Sequence, residues 1–263
     1  MDPKPDRTRV YKTVGEHTLR LDIFNPPDHR ADLQRPAIVF FHGGGWNGGT
    51  PGQFYPHCRY LTSRGMVALS AEYRLKQKHG TSPFECVKDG KSAMRWVRSH
   101  AEELGIDPNR LAAGGGSAGG HVAAATGTVA GFNEPGEDTG VSPRPNALVL
   151  FNPVYDNGPD GFGYDRVKEH YEAFSPMHNI HPETPPTVVF LGTEDRLIPV
   201  ATAQKYKSLM EGAGCRCDLH LYGDQPHGFF NYRDGENDCY DQTVREADRF
   251  LQSLGYVEGE PTL

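Results

Sequence analysis

The chain has no apolar run approaching the ~18 residues that a membrane-spanning helix needs. Its first ten residues, MDPKPDRTRV, lack the apolar core of a secretory leader. It reads as a cytoplasmic protein, or as a secreted or periplasmic one whose leader was removed ahead of Met1. No Asn-x-Ser/Thr sequon is present, so sequon-type glycosylation has no acceptor. No Lys/Arg-rich tract occurs and the net charge is −7, which argues against a nucleic-acid partner. Cysteine is scarce and odd in number: Cys58, Cys86, Cys215, Cys217 and Cys239 form neither a disulfide framework nor a zinc-ligand spacing. No His-x-His or His-x-x-x-His pair occurs either, so no metal site is expected. There is no internal repeat, and no feature fixes an oligomeric state.

What is present alternates. Residues 9–14 and 17–24 switch between apolar and polar, as in an antiparallel strand pair. Residues 36–42 (PAIVFFH), 66–71, 110–115, 146–151 and 187–192 are continuous apolar or small-residue runs, the mark of strands buried on both faces. Residues 216–222 read as a late strand. Helical spacing fills the gaps at 53–64, 84–104, 117–130, 199–212 and 239–254, with Val87, Met94, Val97 and Leu104 on one helix face. The expected fold is therefore α/β: a mostly parallel central sheet of about eight strands with helices on both faces. A length of 263 residues suits one such domain, 1–263. Right-handed crossovers then put ligand sites at the carboxyl ends of the strands. Two stretches break the pattern. Residues 131–145 are rich in Gly, Pro and acids and read as a surface loop. Residues 152–186 are long, proline-rich and aromatic (Tyr155, Phe162, Tyr164, Tyr171, Phe174), and read as an ordered lid or substrate-wall insertion.

The strongest local motif is Gly115-Gly116-Ser117-Ala118-Gly119, between a buried strand and a helix. That is the context of a nucleophile elbow, where a strained serine needs glycines two residues away on either side. The Ala118 N–H at the helix start would face a developing oxyanion. A phosphate-binding turn is the rival, but GGGSAGG fits neither the Walker nor the dinucleotide spacing. The second motif is His42-Gly43-Gly44-Gly45-Trp46, a strand-end loop whose glycines let backbone N–H groups approach a reacting carbonyl. His42 itself reads as a brace for this loop. Asp195, in LGTEDRLIP, and His227, in DQPHGFF, each follow a strand, and so fall on the same sheet edge as Ser117. Glu194 is the rival acid. His121 should pack beneath the elbow, and His178 and His181 read as exposed loop residues. Trp46 and Phe229, next to these motifs, are candidate substrate contacts.

HGGGW, GGGSAGGH, LGTEDRLIP and PHGFFNY together resemble the α/β-hydrolase esterases and lipases related to hormone-sensitive lipase, including the acetyl esterases. The resemblance covers roughly residues 10–255. It implies a cofactor-free Ser117–His227–Asp195 triad, an oxyanion hole of Gly43, Gly44 and Ala118, and short acyl esters as substrates. The small chain also resembles esterases of acylated plant or algal polysaccharides, so an acetylated saccharide is one expected substrate. Two departures stand out. The family often has Asp before the nucleophile, where this chain has Gly116, and little length precedes the first buried strand for a large N-terminal cap. Arylformamidases also resemble the HGG-x-W loop. An amide hydrolase (formamidase or peptidase) and a non-catalytic ligand receptor on the same fold are the competing functions.

Overall fold

The computed structural model describes residues 4–263; residues 1–3, on which the reading of the N-terminus at Met1 bears, lie outside the described residues. Strands β1 (Arg7–Val14) and β2 (His17–Phe24) form the antiparallel hairpin. The remaining strands are β3 (Arg35–Phe41), β4 (Val67–Ala71), β5 (Ile106–Gly116), β6 (Ala147–Phe151), β7 (Thr187–Gly192) and β8 (Cys217–Tyr222). They join in one sheet of order β1-β2-β4-β3-β5-β6-β7-β8. β2 meets β4 antiparallel, and every pairing from β4 to β8 is parallel. All residues of β4, β6 and β7 are buried, which is why their sequences are continuously apolar rather than alternating. Successive residues still face opposite sides: Ile38 and Phe40 join one buried cluster, Val39 and Phe41 the other.

Five main helices flank the sheet: α1 (Tyr55–Ser63), α2 (Pro83–Ser99), α3 (Ala118–Thr128), α4 (Val200–Gly212) and α5 (Asp238–Ser253). The start of α2 is set by a capping box: Ser82 Oγ accepts from Phe84 N–H, and Glu85 returns to the Ser82 N–H. The helix expected over 84–104 is in fact two. α2 stops at His100, whose Nδ1 lies 2.8 Å from the Trp96 carbonyl and whose ring stacks on the Trp96 indole, and a short turn, Ala101–Leu104, follows.

The 131–145 stretch runs along the surface, but two of its acids reach inward. Lys12 and Arg74 both bind the fully buried Asp89, and both also bind Glu134, at 2.6–2.8 Å; Arg95 meets Glu137. Buried cations are thereby paired from several sides, the condition under which charge is tolerated in a core. The 152–186 stretch contains only short helical turns, among them Tyr164–Val167 and Tyr171–Phe174. Its aromatics mostly point inward. Tyr155 stacks on Tyr206 at 4.4 Å and Phe174 on His121 at 4.3 Å. Tyr164 and Tyr171 stay half-buried at the surface.

Candidate active site

At the end of β5 the chain turns sharply into α3, and Ser117 sits in the turn at φ 54°, ψ −120°, a strained conformation for a residue with a Cβ. The glycines around it are sterically required. A Cβ on Gly115 would lie 2.4 Å from the Gly119 carbonyl oxygen, and one on Gly119 only 2.0 Å from that of Phe41. The elbow is pinned to the end of β6: Ser117 N–H donates to Phe151 O, and Val154 N–H to Ser117 O. Gly116 faces the ring of Phe230, whose Cζ would be 2.5 Å from an added Cβ. Phe230 thus fills the space that a side chain at 116 would need.

Asp195 follows β7 and His227 follows β8, so three strand ends bring three side chains together. His227 Nε2 lies 2.9 Å from Ser117 Oγ, and Nδ1 lies 2.7 Å from Asp195 Oδ2. The Asp195 carboxylate is fully buried, and its Oδ1 accepts the N–H groups of Leu197 and Ile198, which fixes its orientation. Glu194, the rival acid, points into solvent. The arrangement has the parts for acyl transfer: a hydroxyl aligned with an imidazole, and an imidazole oriented by a carboxylate.

The loop Gly43–Trp46 lies beside the elbow; an ideal Cβ on Gly43 would be 3.5 Å from Ser117 Cβ. His42 braces it. Its ring is buried, stacks on Tyr73 at 4.4 Å, and places Nδ1 2.7 Å from Gly43 O; burial lowers its pKa to about 4. Of the expected donors Gly43, Gly44 and Ala118, one has a protein partner. The Gly43 N–H is already donated to Gln53 Oε1 at 2.6 Å. Among the described residues the N–H groups of Gly44, Gly45 and Ala118 have no protein acceptor, so these remain free for an oxyanion. Gly44, at φ +119°, tolerates no side chain: a Cβ would meet Gly48 O at 2.1 Å.

The two expected substrate contacts, Trp46 and Phe229, are both buried. Trp46 is 1% exposed, because the positive-φ turn swings its indole inward, against His121 at 5.2 Å and Phe162 at 5.8 Å. It anchors the 152–186 stretch to the glycine loop, and Arg166 adds to this by donating to Gly45 O. Phe229 packs on Tyr222 at 4.9 Å and lines a cavity of about 420 Å³ to which Ser117, Asp195 and His227 do not contribute. Among the described residues no cluster of three or more His, Cys, Asp or Glu is placed to hold a metal ion.

Three amide side chains went unnoticed in the sequence. Gln53 donates onward to Asn231 Oδ1 at 2.9 Å, and Asn231 donates to Gly228 O at 2.8 Å. Asn152, fully buried at the end of β6, accepts from Gly228 N–H at 3.0 Å and lies 3.3 Å from His227 Nε2. No local pattern marks any of them.

Residues 21–147 match the family BD-FAE, and residues 165–254 match the dienelactone hydrolase family. Esterase LipQ of Mycobacterium tuberculosis is 30% identical over 78% of this chain and 52% of its own length. The acetylxylan esterase of Xylanibacter ruminicola is 28% identical over 83% of this chain and 45% of its own. The chain thus spans about half the length of these two relatives. Esterase 2 of Thermogutta terrifontis matches over nearly its whole structure: 43% identity, 97% of this chain, 96% of that one, TM-score 0.93. That esterase has been seen with propionate and with butyrate bound, and phosphorylated by paraoxon. With the parallel sheet, the elbow and this match over almost the full length of both chains, the protein belongs to the α/β-hydrolase-fold esterases.

Proposed function

We propose that the protein is a serine carboxylic-ester hydrolase of short acyl esters, acetyl foremost, and that acetylated carbohydrates are among its substrates. One observation carries the reading: Ser117 Oγ, His227 and the buried Asp195 carboxylate are hydrogen-bonded in series at 2.9 and 2.7 Å on a strained elbow. His227 Nε2 takes the Ser117 proton as Oγ bonds to the ester carbonyl carbon. Free amides of Gly44 and Ala118 receive the oxyanion, each such donor contributing about 10²–10³ in rate. The proton then passes to the departing alcohol oxygen, and water repeats the sequence on the acyl-enzyme. Trp46, Phe162 and Phe174 pack on one another and hold the 152–186 stretch against the glycine loop. The propionate and butyrate complexes of the Thermogutta esterase support short acyl groups, and the acetylxylan esterase relative supports the saccharide. In this reading the 152–186 stretch is a fixed wall of the site.

The test is a ladder of p-nitrophenyl esters, acetyl to octanoyl, together with acetylated xylo-oligosaccharides, with Ser117→Ala as the blank. Acetyl and propionyl esters should be cleaved far faster than octanoyl, acetate should be released from the oligosaccharide, and Ser117→Ala should lose orders of magnitude. A preference for octanoyl, or no release from any acetylated saccharide, would remove that part of the reading. Retained activity in Ser117→Ala would remove all of it.

A further inference from the structure

The geometry points to Asn152 as a positioning residue that keeps His227 in its Nδ1–H form and opposes protonation of Nε2. This rests on the roles proposed above for Ser117 and His227. The orientation of the Asn152 amide is forced. Its Oδ1 lies 3.0 Å from the Gly228 backbone nitrogen, and a backbone N–H can only donate. Nδ2 must therefore be the atom that faces His227 Nε2 at 3.3 Å. An amide NH₂ only donates, so at 3.3 Å it shares the single Nε2 lone pair with the closer Ser117 hydroxyl and is opposed by a proton there. The carboxylate of Asp195 at Nδ1, 2.7 Å away, selects the same tautomer from the other side of the ring.

Gly228, the residue after His227, is held from both directions. Its N–H goes to Asn152 and its carbonyl accepts from Asn231 Nδ2, whose amide is oriented in turn through Gln53 by the Gly43 N–H. Each of the three amides meets at one end a backbone group that cannot reverse (Gly43 N–H, Gly228 N–H or Gly228 O), so the polarity of all three is fixed. Asn152 is fully buried and sits at φ 33°, a left-handed position that Asn and Asp tolerate better than other side chains. The charged group facing the His227 ring is Asp195, after β7. On the Nε2 side stand only the uncharged Ser117 hydroxyl, from the β5–α3 turn, and the Asn152 amide, after β6. Among the described residues no other ionisable side chain is in hydrogen-bond or ion-pair contact with the ring. The consequence is kinetic. A proton taken from Ser117 onto Nε2 meets the Asn152 N–H, which makes Nε2 a weaker base toward Ser117 and, by the same amount, a stronger acid toward the leaving alcohol oxygen.

Asn152→Asp tests this, since the replacement keeps the backbone conformation and the acceptor for Gly228 while placing carboxylate oxygen where Nδ2 stood. An imidazolium would then be stabilised, and the rising limb of kcat/KM against pH should move up by about one pH unit or more. Asn152→Gly, which removes the amide without adding charge, should move the limb the same way by less. The imidazole titration of His227, followed by NMR in Ser117→Ala and in Ser117→Ala/Asn152→Asp, reads the same shift without turnover. Limbs and titrations that stay in place while activity falls equally at all pH values would overturn the inference and leave Asn152 a packing residue. A shifted titration in a protein whose esterase activity does not depend on Ser117 would uphold the role of Asn152 and sink the esterase reading instead.

Discussion

Replacing Gly116 by alanine or aspartate should damage this protein, although the resemblance to hormone-sensitive-lipase relatives implies an aspartate at that place. An ideal Cβ at Gly116 lies 2.5 Å from Phe230 Cζ and 3.1 Å from Cε1, whereas ordinary carbon contacts are about 3.5–4.0 Å. The ring would have to retreat by about 1 Å to restore such a contact. It has no room to do so. Phe230 is 1% exposed, stacks on Phe151 at 4.8 Å and on Phe54 at 5.8 Å, and has His57 at 6.0 Å. Overpacking of this kind costs about 1–3 kcal/mol, against about 0.4–1 kcal/mol gained when glycine's freedom is lost from the unfolded chain. Gly116→Ala should therefore be destabilised by about 1–2 kcal/mol, or roughly 2–8 °C in Tm for a chain of this size. Gly116→Asp adds a carboxylate in a buried place and should lose several kcal/mol more unless it finds a donor. Phe230 lies three residues beyond His227, so its retreat also drags the base, and a misplacement of about 1 Å can cost about 10²-fold in rate. The assay is a four-protein cycle of wild type, Gly116→Ala, Phe230→Leu and the double variant, with thermal unfolding and p-nitrophenyl acetate kinetics. The double variant should be more stable than the two single losses added together, by about 0.5–3 kcal/mol of coupling. Additive losses, or a Gly116→Ala protein within about 0.5 kcal/mol of wild type, would refute the steric account.

Gln53→Leu leaves the buried Gly43 N–H without an acceptor, which costs about 1–3 kcal/mol, and frees the glycine loop from the His227 segment. Its kcat on p-nitrophenyl acetate should fall with KM little changed, and Gln53→Leu with Asn231→Leu should cost less than the sum; a changed KM at constant kcat would contradict a positioning role. Burial holds His57 and His121 at pKa values of about 3, against 6.5 for the free group. Below pH 6.5 the unfolded chain binds protons that the folded one refuses, so this contribution is complete above that pH. It is lost as pH falls toward 3, at about 1.4 kcal/mol per unit for each histidine. His57→Leu, in its box of Phe40, Phe54, Phe151, Phe230 and Tyr240, should be near neutral at pH 7.5 and more stable than wild type at pH 5 in urea unfolding. Parallel pH profiles for the two proteins would contradict it.

The parts of the molecule that announce themselves in sequence are those whose constraint is local. A strand buried on both faces must be apolar throughout, so Ile38–Phe41 and Val188–Leu191 are readable without knowing their neighbours. The elbow glycines are readable for the same reason, since only glycine fits within 2.4 Å of the backbone at 115 and 119. Adjacency in sequence misleads where the backbone reverses. At Gly228, φ +82°, the chain turns, and Phe229 and Phe230 leave it with ring planes at 87°. One lines an outer cavity and the other supports the nucleophile, though both look equally close to His227 on paper. Trp46 is turned in the same way, because Gly45 and Trp46 at positive φ carry the indole under the 152–186 stretch. The amides of Gln53, Asn152 and Asn231 leave no trace at all. An amide side chain acquires a direction only when a backbone N–H or carbonyl orients one end of it, and here those backbone groups come from two separate loops, at Gly43 and at Gly228. The Gln53 contact alone decides that the Gly43 N–H of HGGGW is engaged while those of Gly44 and Gly45 are not. Which glycines of the motif keep a free N–H is therefore a property of the assembled loops and not of the motif itself.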